Sequence, residues 1–279
     1  MKALFDKISF DCSRNVTRTY STSFSAAVKM LSPSIRQDIY NIYGFVRFAD
    51  EIVDSFHDYD KEQLFALFEN DLDNALRDGI SLNPVLNAFQ HTALKYGIGK
   101  NLVNAFMASM RLDLVKKDYR TFEEYNEYIY GSADVVGLMC LKVFTGNDNS
   151  RYETLTQPAM RLGSAFQKVN FLRDLKADTE DLERNYFPLL NLNEMTDETK
   201  KQIISEIEAD LAEGYKGILQ LPAEAKFGVY TAYVYYKRLL KKLKNTPPLK
   251  IRSTRIRVAD YEKLGLLAKC YLNYRFNTL

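Results

Sequence analysis

Apolar residues return every three or four positions along most of the chain, and nowhere do they alternate with polar ones long enough to specify a sheet. The spacing predicts helices over Tyr20–Leu31, Pro33–Phe56, Lys61–Arg77, Pro84–Tyr96, Lys100–Lys116, Phe122–Phe144, Arg151–Asp181, Asp197–Leu219, Glu224–Lys244 and Ala259–Arg275. Gly79, Gly97, Gly99, Gly146, Pro222 and the Pro247–Pro248 pair punctuate them as caps and breakers. No repeat, low-complexity tract or linker interrupts the series. One all-α domain over 1–279 is expected.

Two of these helices carry acids where the pattern asks for something else. Pro33–Phe56 starts with Ser32 as N-cap and Pro33 at the first helical position. Its stripe of Ile35, Ile39, Ile42, Tyr43, Val46 and Val53 has Asp50 and Asp54 in its middle. A carboxylate on a core-facing stripe is costly unless compensated, and two of them one turn apart repel. Arg47 can serve one acid but not easily both, so a metal or substrate site is favoured over a buried ion pair.

The second stretch is Gln167–Asp178, where Gln167, Asn170, Asp174 and Asp178 share one narrow helical face. Lys168, Arg173 and Lys176 are expected to project away from it, which leaves the acids without a cation from their own helix. Such a cluster of oxygens is what Mg²⁺ neutralises, the alternative being an ordinary solvated face. If the two acidic helices face each other across a cavity, they suit an anionic diphosphate held through bridging Mg²⁺, with its apolar tail inside the bundle.

The chain resembles the squalene/phytoene synthase family in an ordered set of segments: Tyr20-Ser-Thr-Ser-Phe24, Arg47-Phe-Ala-Asp-Glu-Ile-Val-Asp54, Tyr130-Gly-Ser-Ala-Asp-Val-Val-Gly137, Gln167–Asp178, Arg184-Asn-Tyr-Phe-Pro188 and, more weakly, Arg255–Lys263. The resemblance implies a single-domain, isoprenoid-synthase-like helical bundle around a central cavity, and a head-to-head prenyltransferase. It implies catalytic roles for Asp50, Asp54, Tyr130, Asp174 and Asp178, and Mg²⁺ (or Mn²⁺) held by Asp50, Asp54, Asn170, Asp174 and Asp178. Substrate contacts are implied for Tyr20, Ser21, Ser23, Tyr43, Arg47, Gln167, Asn170, Arg173, Arg184, Tyr186 and Tyr236. The implied reaction joins two geranylgeranyl diphosphates into phytoene through a cyclopropyl diphosphate. Its alternative is C15 condensation to squalene, dehydrosqualene or presqualene diphosphate, with NADPH needed only for squalene. A non-catalytic assembly factor of the family would be expected to lack some of the acids that are all present here. Asp134 and Glu183 stand where the family usually has small residues, Glu183 in a place usually held by glycine.

Other chemistry is excluded or left bland. His57 and His91 have no second ligand at zinc-like spacing and are expected to be structural. No Gly-x-Ser-x-Gly elbow or Gly-x-Gly-x-x-Gly fingerprint is present. Cys12, Cys140 and Cys270 are far apart and expected to be buried free thiols of a cytoplasmic protein. No stretch suggests a secretory signal or a membrane span, and the resemblance is to the anchorless bacterial type. A net charge of +2 gives no case for nucleic acid. Lys237–Arg257 holds nine basic and no acidic residues, which suits either a solvated face or peripheral contact with anionic lipid at the inner membrane surface.

Overall fold

A computed structural model describes residues 1–146, 148–188 and 195–276. The helices are α1 (Lys2–Tyr20), α2 (Thr22–Lys29), α3 (Pro33–Ser55), α4 (Lys61–Asp78), α5 (Pro84–Tyr96), α6 (Lys100–Val115) and α7 (Phe122–Ile129). A π-helical turn at Tyr130–Asp134 leads into α8 (Val135–Thr145), and then come α9 (Asn149–Glu180), α10 (Asp197–Gln220), α11 (Ala223–Lys244), α12 (Pro248–Ser253) and α13 (Asp260–Arg275). Among the described residues there is no strand, only an isolated bridge between Asp118 and Asn185.

Every expected helix is present to within a few residues, and two more, α1 and α12, were not expected. Three caps behave as their residue types dictate: Asp60 accepts from the Gln63 amide, Asn83 from Val85 and Leu86, and Gly79 closes α4 at φ 70°. Ser32 stands at the expected N-cap position of α3, but its hydroxyl pairs with Ser34 Oγ rather than with a backbone amide.

The apolar stripes assemble into two cores. One joins α3, α4, α5, α6 and α8 around Phe45, which stacks on Phe89 at 4.0 Å and meets Phe106 edge-on at 5.3 Å. Fully burying such a ring stabilises by about 1.5–3 kcal/mol. The other joins α7, α9, α10 and α11 around Val169, Leu172, Ile207 and Leu243. Between them lies an apolar cavity of about 310 Å³, walled by α2, α3, α8, α9, α10 and α11. Close helix approach shapes that wall. A Cβ on Gly163 of α9 would stand 2.9 Å from the Ala133 carbonyl in the π turn.

Candidate active site

The acids come together at one end of the cavity. On α3, the buried stripe fixes the helix face, so Asp50 and Asp54 emerge beside the core with side chains 32% and 27% exposed. On α9, Val169, Leu172 and Leu175 bury the opposite side and turn Asp174 and Asp178 outward. Burial and the Asp54 carboxylate push Asp50 up to about 7. Burial, then Asp174 and Asp54, pushes Asp178 up to about 8. Arg184 links the two motifs, its backbone amide donating to the Asp178 carbonyl at 2.6 Å and its guanidinium to Asp54 Oδ1 at 2.6 Å.

Arginines rim this cluster. Arg47 pairs with Asp50 and Glu51 and lies 4.5 Å over the Tyr20 ring. Arg184 is buried, donates to Asp54 Oδ1 at 2.6 Å and to the Asp113 carbonyl at 2.8 Å, and has the Tyr186 hydroxyl at 3.3 Å. Arg173 corrects an expectation: it does not leave the acidic face bare but grips Asp174, with Nε 2.9 Å from Oδ1. Its stem is long enough to bring the guanidinium round to the neighbouring position. Arg255 adds a second cation to Asp174 at 2.8 Å. Lys168 does turn away, into a buried pair with Asp210 at 2.6 Å and another with Glu206.

Below the acids the lining becomes amide and aromatic. Gln167, Asn170, Tyr43 and Tyr236 border the cavity, and the Tyr236 hydroxyl donates to Asn170 Oδ1 at 3.3 Å. Two stacked ring pairs face the same space, Phe24 on Tyr43 at 4.7 Å and Phe166 on Tyr236 at 3.9 Å. Burial raises the Tyr43 phenol to about 12, and it lies beside the Ser21 hydroxyl. Ser21 itself caps α2 by accepting from the Phe24 amide at 3.2 Å, and Ser23 is half-buried next to Phe24.

Tyr130 does not join this group. It is 38% exposed at the start of the π turn, and its phenol acts on Tyr152. Tyr128, two positions earlier and so on the opposite helical face, is the tyrosine that reaches the site. It donates to Asp113 Oδ2 at 2.7 Å and stacks on Tyr186. Asp113 was missed in the sequence, although it stands on the buried face of α6 with Val103, Phe106 and Met110, the signal that singled out Asp50. Its carboxyl is pushed up to about 7 by burial, and among the described residues its Oδ1 has no hydrogen-bond partner. Tyr186 stacks on Phe171 at 4.1 Å, which fixes the segment carrying Arg184.

Asp134 lies elsewhere, in the wall behind the cavity. Ser164 Oγ donates to it at 2.6 Å, and burial raises it to about 6 near Lys168. Glu183 takes φ 54°, the one positive value outside glycine among the described residues, as expected where glycine is usual. His91 packs edge-on to Phe10 at 5.1 Å, and His57 Nδ1 is 3.1 Å from Lys61 Nζ. All three cysteines are free, but only Cys270 is fully buried, because Cys12 and Cys140 sit on half-covered faces.

The family profile described as squalene/phytoene synthase matches residues 17–262. The chain belongs to the squalene/phytoene synthase family. That family is one of prenyltransferases. A 15-cis-phytoene synthase of Synechocystis sp. is 30% identical over 268 residues, covering 83% of this chain and 75% of that protein. A phytoene synthase of Pseudescherichia vulneris is 28% identical over 249 residues, 80% and 79% of the two chains. The fold matches a solved dehydrosqualene synthase with TM-score 0.81 at 20% identity over 97% of this chain and 98% of that one. A squalene synthase from Alicyclobacillus acidocaldarius matches with TM-score 0.74 at 21% identity, over 87% and 96%.

Within this family fold, the donor set fits a hard divalent cation. Among the described residues, no three acidic, histidine or cysteine side chains lie close enough to hold a metal by themselves. The two carboxylate pairs, with Asp178 in no ion pair among the described residues, would instead suit a cation completed by phosphate oxygens.

Proposed function

We propose that the chain condenses two geranylgeranyl diphosphates head to head into phytoene, through a cyclopropyl diphosphate and with release of two pyrophosphates. In this reading Asp50, Asp54, Asp174 and Asp178, with Asn170 one turn below Asp174, hold Mg²⁺, for which Mn²⁺ can substitute. When bound, the cation supplies Lewis-acid stabilisation of the departing pyrophosphate. Arg47 and Arg173 neutralise phosphate oxygens, and Arg184 is held in place for the same task by Asp54 and the Asp113 carbonyl. Departure of the first pyrophosphate leaves an allylic cation. The double bond of the second substrate attacks it, and proton loss closes the cyclopropane ring. Departure of the second pyrophosphate, rearrangement of the resulting cation and loss of a second proton give the neutral hydrocarbon. Stacked rings of Phe24–Tyr43 and Phe166–Tyr236 present π faces to these cations, and the apolar wall keeps water from quenching them.

The observation that carries the reading is an acidic, arginine-rimmed mouth opening on an apolar cavity of matching depth. Its lining follows α9 from Asn170 to Leu155, roughly 22 Å of helix at 1.5 Å per residue. A C20 prenyl tail extends about 20 Å, at about 5 Å per isoprene unit once the zigzag shortens its four C–C bonds of about 1.5 Å each. A C15 tail is one unit shorter, about 15 Å, and would leave the Leu155 end unfilled.

The test offers purified protein and Mg²⁺ farnesyl and geranylgeranyl diphosphate separately, with and without NADPH, and identifies products by mass. A C40 hydrocarbon without NADPH is expected. A C30 product moves the enzyme to squalene or dehydrosqualene synthesis, and no product from either donor overturns the catalytic reading.

A further inference from the structure

The last helix turns the usual rule inside out. The side of α13 that packs on α11 is held by polar contacts as well as apolar ones. The Tyr235 hydroxyl meets the Lys263 carbonyl at 3.2 Å, and Asn273 donates to the Tyr230 hydroxyl at 3.3 Å. The other side carries Tyr261 (76% exposed), Leu264 (69%), Tyr271 (56%) and Leu272 (52%), with Phe276 (71%) just beyond the helix end. At about 100° per residue these fall within one arc. An apolar face of this extent, covered by none of the described residues, marks an interaction surface.

The neighbouring surface says what covers it. Beside the N-terminal end of α13, a cleft of about 540 Å³ is lined by Arg238, Lys241, Lys242, Lys250 and Arg257 among others, and by no acidic residue. Arg238 and Lys242 reach Glu262 in the first turn of α13 at 3.0 and 2.7 Å, tying cleft and helix into one surface. Lys241 and Lys250 are exposed, as is Leu249 beside them. Two copies of such a cleft would repel each other across a dimer interface.

We propose that the apolar face of α13 and the basic cleft at the end of α11 form a docking surface for an anionic bilayer. The leucines and aromatic rings enter the headgroup boundary, and the lysines and arginines meet lipid phosphates. The surface backs on the cavity: Tyr274 of α13 packs at 5.1 Å on Phe227, whose neighbours Gly228 and Val229 line the cavity wall. Its purpose rests on the proposed function, because an uncharged hydrocarbon product partitions into lipid rather than water.

Vesicle co-sedimentation tests this without turnover, so its outcome is independent of which diphosphate, if any, the enzyme accepts. The protein should pellet with phosphatidylcholine vesicles containing phosphatidylglycerol and be released by salt. The double variants Leu264→Glu/Leu272→Glu and Lys241→Glu/Lys250→Glu should each weaken that partition by about tenfold or more, with unchanged helical circular dichroism. Equal binding to pure phosphatidylcholine, or binding that charge reversal leaves intact, would overturn the proposal. So would a Leu264→Glu/Leu272→Glu variant that turns a dimer into a monomer but binds vesicles as before, since a second copy would then be the occupant.

Discussion

The acid pairs of α3 and α9 share a one-turn spacing but are neutralised differently. On α3 both acids have an arginine, Asp50 from Arg47 on its own helix and Asp54 from Arg184 across the chain. On α9, Asp174 takes two, Arg173 and Arg255, while Asp178 forms no ion pair among the described residues. Arginines therefore fix the positions of Asp50, Asp54 and Asp174, and the demand for further positive charge is greatest at Asp178. A cation completed by diphosphate meets that demand without a preformed protein cage.

The largest expected effect is on turnover. Asp50→Ala or Asp174→Ala should lower kcat by at least about 10³-fold while helical circular dichroism is retained. Near-normal rates in either variant would remove the metal assignment. Next comes Arg184→Met, which leaves Asp54 and the buried Asp113 facing each other without their cation. Urea unfolding should show a loss of about 3 kcal/mol, and an unchanged midpoint would mean that the arginine is not what balances the α3 pair.

A third test follows from the raised acids. Asp50 at about 7 and Asp178 at about 8 keep protons that an unfolded carboxyl has already shed by about pH 4. The native state thus binds more protons through this window, and stability falls as pH rises from about 4 to 8. Asp113, at about 7, and Asp134, at about 6, act in the same direction. Because Mg²⁺ requires ionised Asp50 and Asp178, its addition should raise Tm more at pH 8 than at pH 6. Scanning calorimetry that finds the same gain at both would detach the pKa shifts from cation binding. The smallest effect is at Glu183. Replacing it by glycine relieves the positive φ but loses the exposed pair with Lys117, so stability should change by no more than about 1 kcal/mol.

Helix identity was legible because most buried faces are hydrocarbon at helical spacing, and α3 and α9 were read to within two residues. α1 was not, since its fully buried positions are Ser9, Ser13 and Thr17, while Leu4 and Ile8 face solvent. A hydroxyl seam gives no hydrophobic period. The acids of the site were legible as charges on the wrong face. Their arginine partners were less so, because a side chain as long as that of Arg173 is not confined to the direction of its Cβ. That Tyr128 rather than Tyr130 meets Asp113 was not legible, because a motif gives residue order but not which way a turn widened by a π bulge points.

The α1 seam also sets how that helix responds to temperature. Ser13 lies against Gly44 of α3, Asn87 donates to Ser9 Oγ at 3.1 Å, and Gln37 donates to the Phe10 carbonyl at 2.9 Å. Contacts of this kind cover little apolar area for their number, so docking of α1 carries a small heat-capacity change compared with closure of the cavity helices. Cooling, which weakens hydrocarbon burial, leaves a hydroxyl seam nearly untouched. Tyr20, at the end of α1 and under Arg47, is thereby tethered to the acidic mouth by a joint less cold-sensitive than hydrocarbon packing.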